Sequence, residues 1–285
     1  LTHGALERPA LDRADLLLAV GLDPVELLAR PWSYPQPIVS LSRWPLDQRH
    51  LPLAAACVGD LAQLVAQADA CLSAGDWEQR EVQQIAETAR AAMRVPAEGG
   101  AIAPFRVVEL AAAAYPGARL TADAGAHMFP AMALWPAQEP RDVLISNGLA
   151  TMGFALPAAI GAALLDPARP TVVLTGDGGL LMCLAELCTA ARERLPLRIV
   201  VFDDRALSLI EIKQIQRGYR REGVSIGMVD WVALAAGLGV SGYRATTEAE
   251  LELALAEAAD QPGPALIAAA VDPQVYIPTI RALRG

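Results

Sequence analysis

Between residues 171 and 204 the chain reads TVVLTGDGGLLMCLAELCTAARERLPLRIVVFDD, two unbroken apolar or β-branched runs separated by one helix-length segment. Such runs lack the alternation of a half-exposed strand, so each must be covered on both faces. Strand, helix and strand in that order close as a right-handed crossover with the two strands parallel. Both strands then end on the same edge of one sheet. At that edge stand Gly176-Asp177-Gly178-Gly179 after the first strand and Asp203-Asp204 after the second. Open α/β sheets bind their ligands along this edge. Glycines there let a phosphate approach the backbone, and the helix that follows begins with free N–H groups. Asp177 and Asp204 together have the chemistry to hold a hard cation through oxygen, and Mg²⁺ suits a few carboxylates plus phosphate. Taken by itself, the Gly-Asp-Gly turn also reads as an ordinary acidic helix cap.

The remainder of the chain repeats this alternation. Apolar runs at 16–20, 38–41 and 54–58 read as strands, with helices at 24–28 and 61–70. Asp76 and Gln79 read as a capping box opening a helix whose apolar face is Val82, Ile85, Ala89 and Met93. From Pro104 a second series begins. It comprises a helix at 105–114, a strand at 119–122, the turn Asp123-Ala124-Gly125-Ala126-His127, the strand 171–175, a helix at 180–194 and the strand 197–202. Asp230 caps a helix ending near Gly237, Thr247 and Glu250 form a capping box for a helix to Ala259, and 265–271 is a last strand. The fold class is therefore α/β: a doubly wound parallel sheet at 104–285, preceded by half of another α/β domain at 1–75 and a linker helix and linker at 76–103.

Composition narrows the function classes. The 285 residues carry a net charge of −9, a balance that repels nucleic acid and anionic membranes. Residues 143–165 contain no charge, long enough for a bilayer span. Asn147, Gly148, Gly153 and Pro157 instead favour a buried loop and helix. The start lacks a basic, cleavable leader, so the expected compartment is the cytoplasm. Cys57, Cys71, Cys183 and Cys188 are too scattered for a disulfide framework and read as buried inert thiols.

With these residues in place, a resemblance becomes specific. The GDGG turn followed by the acidic strand end resembles the cofactor motif of thiamine-diphosphate-dependent enzymes. SNGLATMGFALPAAIGAAL is similar to the matching stretch of acetolactate synthase-like members, and ADLLLAVGLDP and GPALIAAAVDPQVYIPTIRALRG resemble their central domain and C-terminus. The resemblance implies a Rossmann-like first part and a diphosphate-binding second part. It implies Asp177, Asp204 and the backbone carbonyl of Ala206 as Mg²⁺ ligands. Gly176, Gly178, Gly179 and the turn Ala124-Gly125-Ala126-His127 would lie along thiamine diphosphate, with Ala150, Met152 and Leu209 beside it. Met152 would prop the cofactor in its bent form. Lys213, the chain's sole lysine, stands where acetolactate synthases carry a Trp, and becomes a substrate-contact candidate. Asp204 replaces the usual Asn, and Ile210 replaces an acidic residue found in some decarboxylases.

The implied activity is Mg²⁺-dependent cleavage or ligation of C–C bonds beside a carbonyl, with a small 2-oxo acid as substrate. The implied parent is a homodimer or homotetramer. Its pyrimidine domain supplies an activating glutamate that this chain lacks, so the 285 residues alone are expected to be inactive. Flavin binding is left open by the resemblance. Two other readings stand beside it: a degenerate, non-catalytic cofactor-binding module, and a nucleotide-dependent oxidoreductase, against which the missing Gly-x-Gly-x-x-Gly counts.

Overall fold

The computed structural model describes residues 6–22, 32–46 and 51–284. They group into two compact units, 1–92 with 281–285, and 93–280. In the first unit β1 (Leu17–Val20), β2 (Ile38–Ser42) and β3 (Leu53–Val58) form a parallel sheet in the order β1-β2-β3. Helix α1 (Arg8–Leu11) precedes β1, and helix α2 (Leu61–Cys71) follows β3, its first turn capped by Asp60, which accepts from the Gln63 N–H at 3.0 Å. Helix α3 spans Gln79–Ala91. The sequence places its cap at Asp76, but the N-cap is Glu78 and makes no side-chain bond. Arg13 draws Asp76 away: its guanidinium lies 3.6 Å from the Asp76 carboxylate and stacks over Trp77. The helix expected at 24–28 lies outside the described residues.

The second unit carries α4 (Pro104–Ala114), β4 (Arg119–Ala122), α5 (Met128–Leu134), β5 (Val143–Ile145) and α6 (Ala155–Leu165). Next come β6 (Thr171–Gly176), α7 (Asp177–Met182), α8 (Glu186–Arg192), β7 (Leu197–Asp203) and α9 (Ser208–Gln216). The chain continues through α10 (Trp231–Gly237), β8 (Ser241–Ala245), α11 (Glu248–Ala259), β9 (Ala265–Ala270) and α12 (Tyr276–Arg284), of which residues 276–280 belong to this unit. Its six strands are all parallel, in the order β5-β4-β6-β7-β9-β8. Successive residues feed opposite layers. Val172, Leu174, Val200 and Phe202 pack on α4 and α11, whereas Val173, Ile199 and Val201 pack on α6, α8 and α10. This explains why β6 and β7 read as unbroken apolar runs.

Several expectations change. The helix expected at 180–194 is two helices, α7 and α8, because α7 already begins inside the GDGG turn and breaks at Cys183. Strands β5 and β8 were not anticipated, one being three residues long and the other containing Gly242 and Arg244. The uncharged segment 143–165 is a short strand, a loop and α6 rather than wholly buried: Leu149 is 87% and Leu165 84% exposed. No helix among the described residues is long and apolar enough to cross a membrane. The cysteines are free, as expected, but not buried: Cys57, Cys71 and Cys188 are exposed and Cys183 half-buried. Three of them sit on the outer faces of β3, α2 and α8 rather than in a core.

Strand order creates the crevice. From β4 the chain turns one way to β5, and from β6 it turns the other way to β7, so the carboxyl ends of β4 and β6 flank a topological switch point. Buried Asp123 ties its walls together. One carboxylate oxygen accepts from the N–H groups of Phe154 and Ala155, each at 2.7 Å, at the start of α6. The other accepts from Thr175 Oγ1 on β6 at 2.7 Å. Removing this carboxylate strands two buried N–H groups and a hydroxyl. Asp123→Ala is expected to lower stability by about 3 kcal/mol, measured as a reduced urea midpoint at unchanged m-value.

Candidate functional site

At the switch point lies a cavity of about 200 Å³. The turn after β4 contributes Ala124, Gly125, Ala126 and His127, and the loop before α6 contributes Ala150 and Met152. Gly176 and the first turn of α7, Asp177 to Gly179, form the floor. Asp204, Ala206 and Leu209 enter after β7. The structure thus brings together every residue singled out in the sequence except Lys213. That side chain is exposed and outside the cavity lining, because α9 has carried it one turn beyond Leu209, away from the strand ends.

Glycine is required where the walls meet. A Cβ on Gly179 would stand 2.3 Å from Asp123 Oδ2, and one on Gly178 would stand 2.5 Å from Leu207 Cδ2 and 3.3 Å from Met152 Cε. The first turn of α7 is therefore bare of side chains at these two positions, so that a phosphate could approach its backbone closely.

The carboxylates differ in their surroundings. Asp177 is 2% exposed; its Oδ1 accepts from the Gly178 N–H at 2.7 Å, while Oδ2 is buried without a partner. Asp204 folds back on its own loop, accepting from the Ala206 N–H at 3.1 Å and from Ser208 Oγ at 2.7 Å. Burial, with Asp204 nearby, pushes Asp177 up to about 7. Burial raises Asp204 to about 6, opposed by its Ser208 and Ala206 bonds. Neither makes an ion pair among the described residues.

The intervening backbone suits a cation. Arg205 adopts φ 62°, in the left-handed region. Its carbonyl accepts from the Ile226 N–H at 3.0 Å, and the Leu207 N–H donates to the Val224 carbonyl at 2.7 Å. Planar trans peptides then turn both the N–H and the carbonyl of Ala206 to the opposite side, the side of Asp204. Among the described residues no cluster of three or more His, Cys, Asp or Glu side chains forms. A cation here would have two carboxylates and a backbone carbonyl, with the remaining positions open. An unpartnered buried carboxylate oxygen is what such an ion satisfies.

His127 stacks on Phe202 with ring centroids 5.1 Å apart, is 4% exposed, and has Nε2 unpartnered. Burial, partly opposed by Asp123, lowers it to about 4, so its ring is neutral at physiological pH. Sequence reasoning missed Phe202, Leu207, Ser208 and Tyr276. Ser208 had a signal, its spacing of four from Asp204. Tyr276 had none beyond its place after a strand.

Residues 123–269 match the family model for the thiamine pyrophosphate enzyme C-terminal, TPP-binding domain. The chain belongs to the thiamine pyrophosphate enzyme family. It is 30% identical to acetolactate synthase from Bacillus subtilis (strain 168) over 275 residues, 92% of this chain and 48% of that protein. It is 38% identical to the acetolactate synthase isozyme 1 large subunit of Escherichia coli (strain K12) over 157 residues, 54% of this chain and 28% of that one. Its fold is similar to that of the Rhodococcus jostii RHA1 thiamine diphosphate-dependent 4-hydroxybenzoylformate decarboxylase, with a TM-score of 0.74 at 20% identity, covering 93% of this chain and 50% of that one. The chain thus spans no more than about half the length of these relatives.

In this thiamine pyrophosphate family member the matched segment begins at Asp123, just after β4, and contains every cavity-lining residue except Tyr276 of α12. The cost of the site falls on the ligand-free chain. Asp177 has a folded pKa of about 7 against 3.8 ordinarily. Its favourable contribution, present below the ordinary value, is lost as pH rises through about 7. Asp177→Asn is therefore expected to raise the melting temperature of the ligand-free chain by several degrees near about pH 8 and to leave it unchanged near about pH 4. A scan of thermal unfolding against pH in chelator checks both ends.

Proposed function

We propose that this chain supplies the diphosphate–metal half of a thiamine-diphosphate site in an enzyme that cleaves or joins C–C bonds next to a carbonyl, acting on a small 2-oxo acid. The observation that carries this reading is the buried, unpartnered Asp177 Oδ2 beside half-buried Asp204 at the ends of adjacent parallel strands. Asp177, Asp204 and the Ala206 carbonyl are the proposed Mg²⁺ ligands. The backbone of Gly178 and Gly179 is proposed to lie against the diphosphate. When bound, thiamine diphosphate supplies the nucleophilic carbon that attacks the carbonyl.

This chain's own residues then have four tasks. Asp177 and Asp204 neutralise the cation. The Asp123 bonds keep the α6 start and β6 at fixed separation. Met152, half-buried across from Gly178, fills the space between the loop before α6 and the α7 start. Leu209 and Ile210 supply apolar walls that keep water from the reacting end.

Among the described residues lining the cavity there is no glutamate. The activating carboxylate is proposed to come from a separate pyrimidine-binding domain, and the working assembly to be a homodimer or homotetramer in the cytoplasm. The 285 residues alone, given excess thiamine diphosphate and Mg²⁺, are expected to turn over no 2-oxo acid. Decarboxylation assays with the full-length protein as control check this, and turnover by the chain near the full-length rate would overturn it.

The reading itself is tested by binding. In the full-length protein, Asp177→Ala is expected to weaken Mg²⁺-dependent binding of thiamine diphosphate by about a hundredfold or more while preserving the fold. Calorimetry showing unchanged affinity would remove the metal–diphosphate assignment. One observation favours a non-catalytic binding module instead: Asp204 adds a carboxylate where the resemblance leads one to expect an amide. Tight cofactor binding by the full-length protein, without turnover of any 2-oxo acid, would select that reading.

A further inference from the structure

Three buried polar atoms without a partner line the same cavity: Asp177 Oδ2, His127 Nε2 and the hydroxyl of Tyr276. The first two belong to the segments already discussed. Tyr276 does not. It is the first residue of α12, 1% exposed, with its ring packed among Ala126, Ile212 and Ile280.

The topology explains why it arrives there. Strands β6, β7 and β9 are consecutive neighbours and parallel. Asp177 follows β6, Asp204 follows β7, and Tyr276 follows β9 after a short 3-10 turn at Pro273–Val275. Asp272 caps that turn by accepting from the Gln274 N–H at 2.9 Å, which fixes the approach of the tyrosine. Three adjacent strand ends therefore deliver two carboxylates and a phenol to one point. Burial, reinforced by Asp204 and Asp177, holds the phenol well above its ordinary pKa, so it keeps its proton. It is a neutral donor facing a site of acceptors.

A buried tyrosine hydroxyl almost always finds a partner. Asp204 is already occupied by Ser208 and Ala206, and Asp177 Oδ2 is itself unpartnered. A ligand oxygen entering the cavity would supply the missing acceptor. We propose that Tyr276 is a ligand-binding residue whose hydroxyl donates a hydrogen bond to an oxygen of the metal-bound diphosphate. It thereby selects for the phosphate end of the cofactor. This rests on the metal–diphosphate reading above.

Tyr276→Phe in the full-length protein tests it, because Phe retains the packed ring and removes only the donor. The affinities for Mg²⁺–pyrophosphate and for Mg²⁺–thiamine diphosphate are measured by calorimetry, alongside the melting temperature without ligand. Both affinities are expected to fall about tenfold, while the ligand-free melting temperature stays the same or rises, since an unpaired buried hydroxyl has been removed. A purely structural tyrosine would behave oppositely, losing ligand-free stability and keeping affinity, and that result overturns the proposal. A loss confined to thiamine diphosphate, with pyrophosphate unaffected, overturns it as well by moving the contact off the phosphates. Asp177→Ala run in parallel separates the two levels. Abolished binding there with unchanged binding in Tyr276→Phe rejects Tyr276 alone, and unchanged binding in both rejects the site.

Discussion

Two carboxylates, buried Asp177 and half-buried Asp204, stand at the ends of neighbouring strands without a cationic partner among the described residues, and the surrounding structure is arranged around that repulsion. Burying a charge unpaired is among the most expensive things a fold can do. The β6–β7 ladder holds the two strand ends in register over six residue pairs, from Thr171 opposite Leu197 to Gly176 opposite Phe202. Their separation is fixed by backbone bonds remote from the charges. Each carboxylate is then partly satisfied locally, Asp177 by the Gly178 N–H and Asp204 by Ser208 and Ala206. What remains unsatisfied, Asp177 Oδ2, faces the cavity. The scaffold therefore stores an electrostatic deficit where a divalent cation would relieve it.

Rigidity around this deficit comes from a second, satisfied carboxylate. Asp123 differs from Asp177 in having both its oxygens bonded to protein donors: two N–H groups at the α6 start and the Thr175 hydroxyl. It joins β4, β6 and α6, three of the elements that border the crevice. A methyl on Gly179 would intrude on the same carboxylate at 2.3 Å. The bare backbone proposed to face a phosphate on one side is thus demanded by the Asp123 cluster on the other. On that proposal one glycine would serve both packing and binding, and the two requirements cannot be separated by sequence inspection.

The crossover, the shared sheet edge and the pairing of Asp177 with Asp204 were legible because they follow from strand parallelism, which apolar runs report directly. The family resemblance then located Ala124 to His127, Ala150, Met152 and Leu209, and the cavity gathers all of these. What escaped has physical reasons. Strand β8 carries Gly242, Tyr243 and Arg244 on a sheet edge, where burial is partial and no apolar run is needed. The break between α7 and α8 escaped because the helix begins at Asp177, earlier than an apolar pattern starting at Leu180 suggests. Tyr276 escaped because its neighbours in sequence are apolar and its neighbours in space are set by β9 inserting between β7 and β8. Lys213 drew attention as the sole lysine, but rarity in composition carries no information about direction on a helix, and the side chain is exposed.

Asp204 shows how the pieces bear on one another. Where the resemblance leads one to expect Asn, an amide would still accept from the Ala206 N–H through its oxygen, and its NH₂ would meet Ser208 Oγ, which can accept as readily as it donates. The substitution therefore changes charge far more than shape. An added negative charge strengthens attraction for a cation and weakens it for a diphosphate arriving on that cation. Compensation must come from donors, and it must avoid a positive side chain that would simply replace the metal. The side-chain-free backbone at the α7 start would meet that requirement, and so would a protonated phenol lining the same cavity as the two carboxylates. On this argument the Asp at 204 and the buried Tyr at 276 are parts of one electrostatic solution, reached from strands that are neighbours in the sheet though distant in the chain.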